Sequence, residues 1–196
     1  MSALSFCAPP STMSSMRTNL TQRFARWRNQ LGAVNRQLIA VLAFSASGLV
    51  GIALNEGYTT RAIPDPVKGT AVPTIGFGTT NGVKMSDSTT PPQALQRLLT
   101  DVQAYEGALK RCVRVPLHQH EYDAYIDLSY NIGAATFCGS TLVKRLNAGD
   151  YAGACAAILD WKYVGQTDCS VPGNRTCQGV WTRRLKLNKQ CKGEAQ

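Results

Sequence analysis

Glu56 and Asp65 are the residues from which a reaction can be built. Glu56 stands at the end of a long uncharged run, Asp65 comes nine residues later, and Thr74 follows nine residues beyond that, inside Thr74-Ile75-Gly76-Phe77-Gly78. Two carboxyl groups in different surroundings can hold different protonation states at one pH, which divides acid from base. One can protonate a departing glycosidic oxygen, the other can activate water or attack the sugar, and a hydroxyl can hold that water. Taken singly, each has an ordinary reading. Glu56 could be a solvated charge closing a helix, Asp65 before Pro66 could open a turn, and Thr74 is a common strand residue.

The elements that must position them follow from the pattern around them. Residues 58–63 and 72–79 read as a hairpin, and 82–90 as a polar connection. Pro91-Pro92 opens a helix with Leu95, Leu98, Leu99, Val102, Tyr105 and Leu109 at spacings of three and four. Further helices are predicted over 119–131, 140–147, 151–161 and 179–191, with Gly133 and Gly149 at stopping positions. The expected fold class is therefore α+β: a small β-hairpin lobe, a larger helical lobe, and a cleft between them bordered by Glu56, Asp65 and Thr74.

The pattern resembles the phage-type lysozymes, glycoside hydrolase family 24, whose signature runs Glu-Gly, an aromatic-rich strand, Asp and Thr-Ile-Gly-x-Gly. Asp123-Ala124-Tyr125, Ser129-Tyr130-Asn131-Ile132-Gly133, Phe137-Cys138-Gly139-Ser140-Thr141-Leu142, Leu146-Asn147-Ala148-Gly149-Asp150, Trp161 and Gly179-Val180-Trp181-Thr182-Arg183-Arg184 follow in family order. The resemblance implies that Glu56 is the general acid, that Asp65 activates or orients water and that Thr74 holds it. It implies peptidoglycan as substrate, cut between N-acetylmuramic acid and N-acetylglucosamine, by a monomer needing no cofactor or metal. Two departures stand out: Thr79 occupies the place where the family usually has His, and the interval from Asp65 to Thr74 is longer than in compact members. Arg183 and Arg184 are candidates for binding substrate carboxylates, or for a structural ion pair.

Charge is spread unevenly along the chain. The net charge is +9, yet residues 1–55 hold five Arg and no acid, so the remainder is only mildly basic. That suits a polyanionic wall polymer and argues against nucleic acid, which calls for a dense basic face. Residues 1–19, rich in Ser, Thr and Pro, read as a disordered tail. Over 20–37, Leu20, Phe24, Trp27, Leu31 and Val34 alternate steps of four and three with Arg between them, a basic amphipathic segment suited to an anionic membrane surface.

Residues 38–54 contain no charge, and at about 1.5 Å per residue they reach the short limit for crossing a bilayer. Ala40, Ala43, Ser47 and Gly51 place small residues along one face, so insertion should be weak. The upstream Arg residues put the amino terminus in the cytoplasm. This arrangement resembles the signal-arrest-release endolysins, tethered by a weak inner-membrane segment and later released to the periplasm as active enzyme. The expected organisation is a tail (1–19), a basic segment (20–37), a releasable membrane segment (38–54) and a catalytic domain (55–196). The rivals are a cleaved signal peptide, with small residues around Ser45 and Ser47, and a buried core helix. Against hydrolysis itself stand a lytic transglycosylase, which needs one acid, and an inactive wall-binding module.

Apart from Cys7, the body holds six cysteines, an even number that suits an oxidising compartment. Six allow 15 pairings. Cys169 and Cys177 bracket a Pro-Gly-Asn loop, and Cys112–Cys138 with Cys155–Cys191 would each tie ends of neighbouring helices. A metal site is the alternative, but no C-x2-C pair is present. His118 and His120 at a helix start are expected to be solvated.

Overall fold

Ser45 begins the first helix: its hydroxyl accepts the Gly48 amide at 3.0 Å, satisfying a donor that a helix N-terminus otherwise leaves without a partner. In this computed structural model, which describes residues 35–65 and 69–194, that helix, α1, spans Ala46–Glu56 and stops at Gly57. A hairpin follows, with β1 (Thr59–Asp65) antiparallel to β2 (Gly69–Gly76). Ile63 pairs with Thr74 and Asp65 with Gly69, with irregular register on either side of Ile63. Ala62, Ile75 and Val83 form the small core of this lobe. The Ala62 amide donates to the Asp87 carbonyl at 3.0 Å and the Thr89 amide to Thr60 at 2.9 Å, laying residues 87–89 along the edge of β1.

The helical lobe comprises α2 (Pro91–Cys112), α3 (Gln119–Ile132), α4 (Ala134–Gly139), α5 (Thr141–Asn147), α6 (Tyr151–Ala156) and α7 (Gln178–Cys191). A 3₁₀ turn, Ala157–Asp160, follows α6, and the short strands β3 (Tyr163–Val164) and β4 (Thr167–Asp168) precede α7. Helix α3 is central: Tyr122, Ala124, Tyr125, Ile126 and Leu128 are fully buried, and so nearly are Glu121, Asp123 and Asp127. Helices of this kind show no polar face, because neighbours cover them on every side. The expected α+β lysozyme-like architecture is the observed one.

Several details differ from the sequence pattern. On α2 the buried row is Ala94, Leu98, Val102 and Leu109, while Leu95 and Leu99 are exposed. The reason is the hairpin: a Cβ at Gly76 would lie 2.8 Å from the Ala94 Cβ, so the face that meets β2 takes a small residue. Helix α4 lies where no helix was expected, and α6 ends five residues early in the 3₁₀ turn. Neither histidine is simply solvated. His118 stacks on His120 at 5.1 Å, and its amide donates to Glu121 at 2.8 Å at the start of α3.

The uncharged run 38–54 is not one helix here. Ile39–Val41 form a 3₁₀ turn, and residues 42–45 are non-helical, with Leu42 and Ser45 extended, before α1 begins. Among the described residues no helix is long and apolar enough to cross a membrane. Residues 1–34, with the expected tail and most of the basic segment, lie outside the described residues.

Disulfides join Cys112 to Cys138, Cys155 to Cys191 and Cys169 to Cys177, with Cα separations of 5.6, 5.6 and 5.2 Å. Cys155 and Cys191 are buried and link α6 to the end of α7. Non-reducing mass spectrometry of the protein purified without reductant is expected to find these six thiols blocked. Replacing both Cys155 and Cys191 by Ala is expected to cost about 3 kcal/mol in denaturant unfolding, the usual scale for a native disulfide; an unchanged midpoint would refute a stabilising link.

Candidate active site

The turn after β2 brings the hairpin to the end of α1. The Ile75 amide donates to Thr79 at 2.9 Å and the Thr79 amide back to Ile75 at 3.1 Å, closing a tight loop over residues 76–78. Gly78 adopts φ +86°, and a Cβ there would lie 3.3 Å from Glu56 Oε2 and 3.5 Å from the Tyr130 hydroxyl. Glycine is required for both conformation and space. Tyr130 donates to the Phe77 carbonyl at 3.2 Å, so the loop is held from the α3 side as well. On the α2 side the Thr79 hydroxyl donates to Asp101 Oδ2 at 2.6 Å. The residue standing in place of the family's usual His thus pins the hairpin through a neutral donor that does not titrate near neutral pH.

Glu56 is held by Arg183. Arg183 Nη1 donates to Glu56 Oε1 at 2.8 Å, while Nε and Nη2 donate to Asp127 Oδ1 at 3.0 and 2.7 Å. The guanidinium is largely enclosed. Burial disfavours its charge, but Asp127 and Glu56 outweigh that penalty and leave it above the ordinary arginine range. Its fork therefore fixes the carboxyl group, occupying Oε1 and leaving Oε2 over Gly78.

Glu56 and Gly78 border a cavity of ≈ 670 Å³ between the hairpin loop, α2 and the end of α3, lined also by Asp101, Tyr105, Tyr130 and Asn131. Burial first, then the charges of Asp101 and Glu56, push the Tyr105 and Tyr130 phenols up, so both remain protonated donors across the working range. A partly enclosed carboxyl facing polar donors has the makings of an acid site for a polyhydroxylated ligand.

Of the three residues singled out in sequence, Glu56 reaches this cavity. Thr74 sits half-buried on β2 opposite Ile63 and is not among the cavity's lining residues. Asp65 ends β1, its backbone paired with Gly69, and its side chain lies outside the described part of the structure. Both candidate arginines have internal partners. Arg184 donates to the Trp161 carbonyl at 2.8 Å and to the Asn131 side chain. Burial, and next Arg183, push it down to about 10. Asp127 and Asp101 were missed by sequence reasoning, since a helical acid gives no sign of whether it meets solvent or a distant Arg or Thr.

Residues 53–186 match the sequence model of the family described as Phage lysozyme. This chain belongs to the phage lysozyme family. It is 35% identical over 141 residues to the endolysin of Salmonella phage P22, an alignment covering 69% of this chain and 94% of that one. It is 37% identical over 153 residues to the SAR-endolysin of Pseudomonas phage phiKMV, covering 78% and 88%. Among solved structures, the endolysin from Escherichia coli O157:H7 phage FAHEc1 superposes with a TM-score of 0.64 at 33% identity, covering 77% of this chain and 94% of that one. As a phage lysozyme, the protein is a glycoside hydrolase, and the matched span runs from the last turn of α1 into α7, so it includes Glu56, the hairpin and Arg183.

Removing Arg183 leaves Asp127, only 7% exposed, without its charged partner. Arg183→Met is therefore expected to lower unfolding free energy by about 3 kcal/mol, the scale for stripping one member from a buried pair. Chemical denaturation under oxidising conditions measures it, and a loss below about 0.5 kcal/mol, the usual range for a surface change, would show that the pair is not a structural tie.

Proposed function

We propose that this lysozyme is an endolysin that hydrolyses the bond between N-acetylmuramic acid and N-acetylglucosamine in host peptidoglycan. Glu56 gives its proton to the glycosidic oxygen as the bond to the anomeric carbon breaks. Water adds to that carbon, activated or oriented by Asp65 and positioned by Thr74; the proton it loses passes by way of Asp65 to solvent, and Glu56 is reprotonated from solvent for the next turnover. The observation that carries this reading is the fixed Glu56 carboxyl, braced by Arg183 on one oxygen and open to the cavity over Gly78 on the other. The neutral Tyr105 hydroxyl beside it suits sugar hydroxyls and N-acetyl carbonyls as a donor, while Tyr130, whose proton goes to the Phe77 carbonyl, offers an acceptor.

Regulation by the membrane belongs to the same proposal. Residues 38–54 first tether the chain in the host inner membrane, with the catalytic domain in the periplasm, and catalysis follows their release. Exposure in the docked form supports this: Leu38 and Val41 are 70% exposed, Val50 55% and Leu54 77%. An apolar run that buries only Leu42 and Ile52 below a few per cent exposure is amphipathic between two environments, and lipid would cover what the body leaves bare. The relative from phage phiKMV carries the SAR-endolysin name.

Glu56→Gln is expected to lower turbidity-monitored wall lysis by at least about 100-fold, the lower end of what general acid catalysis supplies, with an unchanged circular dichroism spectrum. Retention of a tenth of the activity would remove Glu56 from the acid role. Soluble products should carry reducing ends; anhydro-muramyl ends would mean a transglycosylase instead.

Gly51→Leu separates the tether from the enzyme. A Cβ at Gly51 meets nothing within 4 Å and Gly51 lines an open cavity, so the docked form has room beside it, while the inserted form gains about 2 kcal/mol from burying Leu in lipid, a factor of roughly thirty. Cell fractionation should show the variant shifted to the inner membrane and lysis delayed, with normal specific activity once solubilised and refolded. Undiminished lysis by a chain shortened at Ser45 or Ser47 would instead make this a conventionally secreted lysozyme.

A further inference from the structure

We propose that Asn131 is the donor that recognises the N-acetyl carbonyl of the substrate, and that Arg184, buried behind it, is the positioning residue that turns its amide toward the ligand. This rests on the hydrolase reading above and names the group that reads the sugar.

Arg184 is a cation in an unusual setting. It is 3% exposed, and among the described residues no carboxylate lies within ion-pair distance of it. Asp127, whose charge it feels, is already bonded to Arg183. Nε donates to the Trp161 carbonyl at 2.8 Å and Nη2 to Asn131 Oδ1, while Nη1, also buried, has no hydrogen-bond partner. An enclosed guanidinium without a counter-charge is costly, and a neutral side chain would tie α7 to Trp161 at less expense of hydration. What the cation adds is its grip on Asn131.

Asn131 lies near the end of α3, exposed at the wall of the Glu56 cavity. It also lines a second cavity of ≈ 640 Å³, bordered by Leu54, Asn55 and Arg183. A saccharide spanning the bond beside Glu56 therefore passes over it. Arginine has donors and no acceptor, so the carboxamide must turn Oδ1 to the guanidinium and Nδ2 away from it. Among the described residues Nδ2 has no partner, and the charged donor on Oδ1 strengthens it as a donor in turn. A sugar hydroxyl both gives and accepts, so it can bond to either end of a carboxamide and gains little from a fixed one. A carbonyl only accepts. The acceptor-only group on the sugars of the proposed substrate is the N-acetyl carbonyl, and that is the group a locked amide selects.

The experiment compares wall lysis on peptidoglycan and on the same polymer after enzymatic N-deacetylation, using the full chain and the variants Asn131→Asp, Arg184→Met and Arg184→Lys. The parent is expected to prefer the acetylated polymer about tenfold in kcat/KM, the scale of one hydrogen bond. Asn131→Asp replaces the donor by an acceptor and gives Arg184 a carboxylate. Its preference should vanish or turn toward the deacetylated polymer, whose freed amines can donate to it, while its denaturation midpoint should hold or rise. Any effect of the new charge on Glu56 falls on both polymers and cancels in the ratio. Arg184→Met lets the amide rotate and should at least halve the preference; Arg184→Lys, which keeps a cation behind Oδ1, should restore part of it. A purely structural tie would leave the ratio where it was. The proposal fails if the parent shows no preference, or if Asn131→Asp stays within twofold of the parent's ratio. A parent that lyses neither polymer would instead overturn the hydrolase reading on which this one stands.

Discussion

One guanidinium holds this structure's working parts together. Arg183 of α7 reaches Glu56 at the end of α1 and Asp127 on α3, so three helices far apart in sequence meet at a single cation. Without it Asp127 would be a buried carboxylate with no cation; with it, Asp127 and the more exposed Glu56 each have a short charge-assisted bond. The same contact sets the rotamer of the residue that faces the cavity. The tie between α7 and α3 and the orientation of Glu56 therefore share one side chain.

The hairpin reaches that point by a different route. Its own core is three residues, too little to fix a lobe, and its placement relies on polar pins: Thr79 to Asp101 on one side, Tyr130 to Phe77 on the other. Glycines at 76 and 78 let the loop approach α2 and Glu56 more closely than any side chain would permit. Small elements with little apolar area are held by geometry and hydrogen bonds, which makes them adjustable around a ligand.

Helix α1 shows the opposite balance from the rest of the helical lobe. Only Ile52 on it is fully buried, and several large apolar side chains along 38–54 remain bare. The chain entering it is held by carboxylates of α2 and α3 and its last residue by Arg183, and none of the three disulfides reaches it. A segment attached this way can dock firmly in water and still be separable from a body that is cross-linked elsewhere.

The sequence by itself determined the fold class, the hairpin, most helices and the position of Glu56 at a helix end, because these depend on local order: a helix stop at Glu-Gly, a Gly-flanked strand, apolar spacing of three and four. It also held the sites of the three cysteine pairs, which needed only approximate knowledge of which helix ends are neighbours. What it could not contain was the partner of each buried charge. Arg183 was legible as a cation near the end of the family pattern, but whether it faced substrate or Asp127 depended on how α3 and α7 cross. The buried face of α2 shifted from Leu95 to Ala94 because β2 packs there, and the run 38–54 broke at residues 42–45 because Glu106 and Asp123 offered its backbone better partners than its own helix would. Hydrophobic spacing encodes which face turns inward; the tertiary structure alone decides which distant charge is waiting there.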